Sequence, residues 1–92
     1  MTSKSAAFND WWADYERTSA ISPVRLGMTR DDLRSFFGEP DTTARGWRRR
    51  PLMGIWKFGQ IEFHFDTDGR LYQIYTEDED LSPRVIAKDP AA

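Results

Sequence analysis

Apolar and polar residues alternate through the second half of the chain, which is the pattern of β-strands that bury one face. Residues 54–58 (GIWKF), 61–65 (IEFHF) and 71–76 (LYQIYT) form three such runs. Gly59 and Gln60 join the first two runs, and a glycine at the first loop position favours a two-residue type II′ hairpin. The pattern predicts a meander of three antiparallel strands.

The turn between the second and third runs has the composition of a tight loop. Residues 66–70 read DTDGR, in which aspartate side chains can cap backbone amides and Gly69 can adopt a positive φ. The aspartate spacing also resembles part of a calcium loop, but Leu71 stands where that loop requires glycine. We therefore expect ordinary turn chemistry and no bound metal.

The first half of the chain carries apolar residues at helical spacing. From about Ala6 to Ser19 the spacing predicts an amphipathic helix whose opposite side is charged. Pro23 ends this segment, because proline lacks a backbone donor and disfavours a helical residue before it. The apolar stripe, which we expect to pack on the sheet, consists of Phe8, Trp11, Trp12 and Tyr15.

A second helix is predicted between residues 29 and 38, because both of its ends are marked in the sequence. Thr29 and Asp32 have the spacing of a capping box, with aspartate in place of the usual glutamate or glutamine. Gly38 suits the C-terminal cap, and Pro40 stops the helix soon afterwards. The stripe expected to face the sheet comprises Leu33, Phe36 and Phe37.

The remaining segments complete the predicted fold. Residues 41–51 are expected to form a loop, and Pro83 argues against a regular central strand near the C-terminus, where only a short edge contact is expected. Residues 1–5 and 87–92 are expected to be disordered ends of a single domain of 92 residues. The fold class is therefore α+β, with two N-terminal helices packed on a three-stranded antiparallel meander in two layers.

Composition and charge limit the cellular locations and the classes of partner that the sequence supports. The formal net charge is -2, so the field of the whole molecule favours neither nucleic acid nor an acidic membrane. The absence of cysteine excludes a disulfide framework and thiolate chemistry. The N-terminus has no apolar run of signal-peptide length, and no apolar run elsewhere is long enough to span a membrane. A cytoplasmic protein without membrane contact is expected.

One local cluster of positive charge lies within the predicted loop, and it has three interpretations. In the first, the arginines pair with acidic residues of the same chain. In the second, they anchor a protein interface, for which arginine and tryptophan are favoured. In the third, they hold the phosphates of a nucleic acid while the indole stacks on a base. The cluster consists of Arg45, Trp47, Arg48, Arg49 and Arg50.

Two further groups of polar residues are candidates for partner binding. On the sheet face opposite the apolar residues, His64 is expected to point towards Glu62 and Lys57, without the positioned partner and pocket that a general base requires. Glu77 and Asp78 begin an acidic run that extends to residue 80 and is either solvated or meets a basic partner. We expect these five residues to belong to a binding surface.

Three short motifs resemble those of the SmpA/OmlA-type domain. They are residues 27–29 (GMT) before the second helix, 37–40 (FGEP) at its end, and 65–71 (FDTDGRL) at the turn. The resemblance covers about residues 25–76. It implies a fold shared with small outer-membrane assembly lipoproteins and with the repeats of β-lactamase inhibitor protein, namely a helical layer on a curved antiparallel sheet that binds proteins. The chain has no lipid-attachment cysteine, so it looks more like the soluble bacterial relatives.

The leading expectation is a non-enzymatic protein-binding module, either an inhibitor or an immunity-type protein that blocks another protein. The alternative is a nucleic-acid-binding regulator that uses the arginine and tryptophan residues of 45–50. A homodimer built on Trp11 and Trp12, or on a sheet edge, is compatible with either. The chain carries no nucleophile–base arrangement, phosphate loop or dinucleotide signature, so neither catalysis nor a cofactor is expected.

Overall fold

The computed structural model describes residues 6–45, 53–77 and 82–90. Within these residues, two helices precede five strands. The elements are α1 (Ala6–Thr18), α2 (Arg30–Phe37), β1 (Thr42–Arg45), β2 (Gly54–Phe58), β3 (Ile61–Phe65), β4 (Leu71–Glu77) and β5 (Pro83–Lys88).

The strands form one antiparallel sheet in the order β1-β2-β3-β4-β5, so each strand pairs with its neighbour in the sequence. The predicted α+β class with two N-terminal helices is confirmed. The predicted strand number is wrong, because the sheet has five strands and the three-stranded meander forms only its centre. Both additional strands lie at the edges of the sheet.

Strand β1 occupies the start of the segment that the sequence predicted as a loop. Thr42 pairs with Lys57 and Arg45 pairs with Gly54, which adds a fourth strand beside β2. The Asp41 carboxylate accepts a hydrogen bond from the backbone N–H of Gly59 at 2.7 Å and so fixes the entry to the strand. The sequence TTAR lacks apolar alternation, which is why the pattern did not reveal a strand. Residues 46–51 of the predicted loop lie outside the described residues.

Strand β5 is longer than the short edge contact expected from the sequence. It begins at Pro83, and a proline is tolerated at the first position of an edge strand because its missing N–H removes no interior ladder bond. A register shift opposite Ile74 and Tyr75 bends the pairing. Ala87 and Lys88, which the sequence assigned to a disordered end, belong to this strand. Residues 1–5 lie outside the described part of the chain.

One sheet face packs against both helices and forms the core. The ring of Phe63 lies 5.8 Å from Trp11 of α1 and 6.1 Å from Phe37 of α2, measured between ring centroids. Trp11 is buried, and its indole Nε1–H donates to the carbonyl of Ile21 at 2.8 Å. Phe8 and Trp11 of the predicted aromatic stripe are therefore part of the core, whereas Trp12 and Tyr15 are only half-buried. Trp11 is not available for a homodimer contact.

The inward stripe predicted for α2 is correct at two of its three positions. Leu33 and Phe37 are buried, whereas Phe36 is 37% exposed. Leu33 and Phe37 are four residues apart and share one side of the helix, while Phe36 is rotated by a fraction of a turn towards the rim. The expectation that Phe36 meets the sheet core is therefore wrong.

The local signals at the ends of elements are confirmed. The Thr29 hydroxyl accepts from the N–H of Asp32 while the Asp32 carboxylate accepts from the N–H of Thr29, which completes the capping box. Gly59 has a φ of 61° and Gln60 does not have a positive φ, as a type II′ turn requires. The Asp66 carboxylate accepts from the N–H groups of Asp68 and Arg70 in the next turn.

In the part of the chain that the structure describes, no helix is long and apolar enough to cross a membrane.

Candidate functional site

The sheet face opposite the helices is the candidate functional site, and we call it the open face. Strict alternation places the buried residues of β2 and β3 towards the helices and the intervening residues on the open face. The pairing brings Ile55 beside His64 and Lys57 beside Glu62. On the next strand Glu62 is paired with Tyr75 and His64 with Gln73. A continuous patch of aromatic and charged side chains therefore spans β2, β3 and β4.

A histidine–carboxylate pair lies at the centre of the open face. His64 Nε2 and Glu62 Oε1 are 3.0 Å apart, and their side chains are 17% and 22% exposed. Because a carboxylate only accepts hydrogen bonds, the shared proton belongs to Nε2 of the imidazole. Glu62 and His64 are two residues apart on β3, so both side chains lie on the same side of the strand.

Two tyrosines frame this pair. The His64 ring centroid lies 6.2 Å from that of Tyr72 and 5.9 Å from that of Tyr75, and both contacts are edge-on. The strand register between β3 and β4 shifts between His64 and Phe65. This bulge allows Tyr72 of β4 to contact His64, although the residue paired with His64 is Gln73. The result is an aromatic patch of three rings with a carboxylate at its side.

The carboxylates also act on Tyr75. Burial raises the pKa of the Tyr75 hydroxyl above the ordinary value of a tyrosine, and the negative charges of Glu77 and Glu62 raise it further. Both carboxylates disfavour a tyrosinate, so the phenol form is retained to higher pH than in an isolated tyrosine. Because the pKa of Tyr75 is higher in the folded state than in the unfolded state, its protonation contributes to the stability of the fold below about pH 10. This contribution is lost as the pH rises through the folded-state pKa of Tyr75.

Glu77→Gln is expected to lower the pKa of Tyr75, because it removes one of the two negative charges that oppose ionisation. Alkaline titration of tyrosinate absorbance checks this, with Tyr75→Phe identifying the transition of Tyr75 among the three tyrosines. Glu16→Gln, on the exposed side of α1, is the charge-matched control and leaves the transition assigned to Tyr75 unchanged. An unaltered titration in Glu77→Gln contradicts the arrangement around Tyr75.

The structure brings together some of the predicted site residues. Lys57, Glu62, His64 and Glu77 belong to the strands of the open face, and Lys57 lies across the hairpin from Glu62 as predicted. Arg45 ends β1 at the edge of the sheet, in register with Gly54. The other predicted residues lie outside the described part of the chain, namely Trp47, Arg48, Arg49, Arg50 and Asp78.

Sequence reasoning did not single out Tyr72 and Tyr75. The sequence predicted a strand over residues 71–76 without deciding which of its residues lie on the open face, and a bulge displaces the alternation there. The aromatic content of the run LYQIY was the signal present in the sequence. Only the paired strands show that both tyrosines contact the histidine.

The open face offers groups for recognition. Aromatic rings, one imidazole, two carboxylates and two ammonium groups provide apolar contact, hydrogen bonds and charge pairing. Within residues 6–45, 53–77 and 82–90, no three His, Cys, Asp or Glu residues are grouped so that they could hold a metal ion. Comparison of the chain with protein-family models, with curated protein sequences and with solved structures gave no match.

Proposed function

We propose that this protein is a non-enzymatic protein-binding module that binds its partner through the open face, as an inhibitor or an immunity-type protein does. One observation carries the proposal: both helices pack against one face of the sheet, while the other presents an aromatic and charged patch. A mixed aromatic and charged surface of this kind on a β-sheet suits recognition of another protein.

The patch has the composition that dominates binding energy in protein interfaces. Tyrosine combines a large apolar ring with a hydrogen-bonding hydroxyl, and it loses little conformational entropy when it becomes buried. Tyr72, Tyr75 and His64 are already half-buried against one another, so part of the cost of ordering them has been met in the free protein. Ile55 and the 52% exposed Val85 extend the apolar contact area along the neighbouring strands.

The resemblance to SmpA/OmlA-type domains supports the same proposal. It rests on the motifs around α2 and on the turn before β4, and it implies binding of proteins by the sheet. The cytoplasmic location expected from the sequence remains a prediction.

The proposed function predicts that open-face variants lose their partner while remaining folded. Tyr72→Ala combined with Tyr75→Ala is expected to weaken capture of the partner at least about 30-fold, the effect of removing an interface hot spot of about 2 kcal/mol. Tagged wild-type and variant proteins would be used to capture proteins from native lysate with nuclease present, and the bound proteins would be quantified by mass spectrometry. Circular dichroism verifies that each variant is folded.

Matched variants distinguish the two candidate binding surfaces, which are the open face and residues 45–50. Phe36→Ala removes an exposed aromatic ring on the helical side and should leave capture unchanged. A triple variant with Trp47→Ala, Arg48→Glu and Arg49→Glu reports on residues 45–50. Loss of capture in this triple variant alone would move the binding surface to that segment. Recovery of nucleic acid instead of protein, with steep weakening by salt, would favour the nucleic-acid-binding alternative.

A further inference from the structure

We propose that the partner inserts a basic side chain, an arginine or a lysine, into the part of the open face formed by Glu62, His64, Tyr75 and Glu77. This inference rests on the proposed function and specifies the chemistry of the partner. The occupant is a basic segment of another protein.

The first argument is that two carboxylates from different strands are neighbours of Tyr75. Glu62 of β3 is the cross-strand partner of Tyr75, and Glu77 follows Tyr75 by two residues on the same side of β4. The raised pKa of the Tyr75 hydroxyl has both carboxylates among its causes. Negative charge is therefore concentrated around this hydroxyl from two strands.

The second argument is that these carboxylates retain capacity for a further partner. Glu62 uses Oε1 to contact His64 Nε2, and a carboxylate has two oxygens that can each accept. Glu77 is exposed and forms no ion pair within 4.0 Å with a residue that the structure describes. A planar guanidinium has enough donors to contact both groups together.

The third argument is the orientation of the Tyr72 and Tyr75 rings. Cations are attracted to the faces of aromatic rings, and the interaction is stronger where the ring is partly removed from water. The edge-on contacts with His64 leave Tyr72 and Tyr75 oriented across the imidazole rather than stacked on it. A basic side chain can therefore place its stem on the rings and its charged end beside the carboxylates.

Two lysines on the same sheet face set the limits of the site. Lys57 lies opposite Glu62 on β2, and Lys88 lies opposite Gln73 on β5. Neither forms an ion pair within 4.0 Å with a described carboxylate. Each would repel an incoming cation, so they confine it to the Tyr75 region between β3 and β4. An anionic ligand such as a nucleic-acid backbone would meet Glu62 and Glu77 there, which disfavours it.

Nuclear magnetic resonance titration tests the inference with defined probes. The probes are capped Gly-Ser-X-Ser-Gly peptides in which X is arginine, lysine or glutamate, added to the full chain at neutral pH and low salt. The arginine and lysine peptides are expected to shift the ring signals of His64 and Tyr75 in a saturable manner, whereas the glutamate peptide does not.

Charge variants then identify the groups responsible. Glu62→Gln combined with Glu77→Gln is expected to weaken binding of the arginine peptide about tenfold, at roughly threefold for each charge pair removed. Lys57→Ala is expected to tighten binding about twofold, since it removes a like charge; loss of a mere contact would weaken binding instead. Glu16→Gln on α1 is the control and leaves the affinity unchanged.

The outcomes separate this inference from the proposed function. Equal response to the glutamate peptide, or unchanged affinity in the double glutamine variant, overturns the inference. If captured protein is lost in the Tyr72→Ala, Tyr75→Ala variant but retained in the Glu62→Gln, Glu77→Gln variant, the open face binds a protein without a basic side chain. If the tyrosine variant also retains capture, the proposed function itself fails. A concentration-dependent dimer that the double glutamine variant abolishes would instead make a second copy of this chain the occupant.

Discussion

Phe37→Ala is expected to lower the free energy of unfolding by about 3–5 kcal/mol, whereas Phe36→Ala one position earlier lowers it by less than about 1 kcal/mol. Phe37 is buried and its ring contacts Phe8, Phe58 and Phe63, with centroid distances of 5.5, 5.7 and 6.1 Å. Its truncation leaves a cavity where α1, α2 and the sheet meet. Phe36 is 37% exposed at the rim, so its loss removes little buried surface.

Urea denaturation followed by circular dichroism measures both variants against the wild type. A loss of 3–5 kcal/mol is a large part of the roughly 5–10 kcal/mol expected for a domain of this size, so Phe37→Ala is best examined at low temperature. Because the two residues are adjacent in one helix and undergo the same substitution, helix propensity changes equally in both. Equal destabilisation by the two variants would contradict the placement of Phe36 at the rim.

Gly54→Ala is expected to lower the free energy of unfolding by about 3 kcal/mol, at the upper end of the range for overpacking. A Cβ at this position would lie 2.6 Å from the backbone oxygen of Ala44 and 2.9 Å from Nη2 of Arg30. The Arg30 side chain can move away, but the Ala44 oxygen belongs to β1. The substitution must therefore displace β1 from β2 at the pair that joins Arg45 to Gly54.

Hydrogen exchange of the β1 amides measures this effect where it occurs. Gly54→Ala should lower the protection of β1 more than that of β3 and β4, because it opens one edge of the sheet. Gly38→Ala provides a second glycine-to-alanine change at a place with no atom within 4 Å, although its φ of 78° makes alanine unfavourable there. It should destabilise the end of α2 without altering the relative protection of β1. Normal protection of β1 in Gly54→Ala would show that the two strands are not so closely spaced.

The central part of the fold follows from local sequence pattern. Alternation in residues 54–65 places Phe58, Ile61 and Phe63 on the core side, because a strand changes sides at every residue. The capping box at Thr29 and the turn at Gly59 depend on groups only a few residues apart, so they too can be predicted without tertiary information. For the same reason the sequence predicted that Lys57 and Glu62 lie opposite each other in the hairpin.

The edges of the sheet required the tertiary structure. Strand β1 (TTAR) and strand β5 (PRVIAK) have little apolar alternation and one begins with proline, so their intrinsic pattern does not distinguish them from loops. They are strands because β2 and β4 offer unpaired backbone N–H and C=O groups to which they can bind. Strand formation at an edge depends on this template more than on the residues of the edge itself.

The open face shows the same division between sequence and structure. The sequence determined that Glu62 and His64 lie opposite the core, since they alternate with buried residues of β3. It did not determine that Tyr72 and Tyr75 would frame the histidine or that Glu77 would join Glu62 around one hydroxyl. Those neighbours come from another strand, and a bulge sets which residues face which. Alternation within a strand is a local property of the backbone, whereas register between strands is decided when the whole sheet packs against its helices.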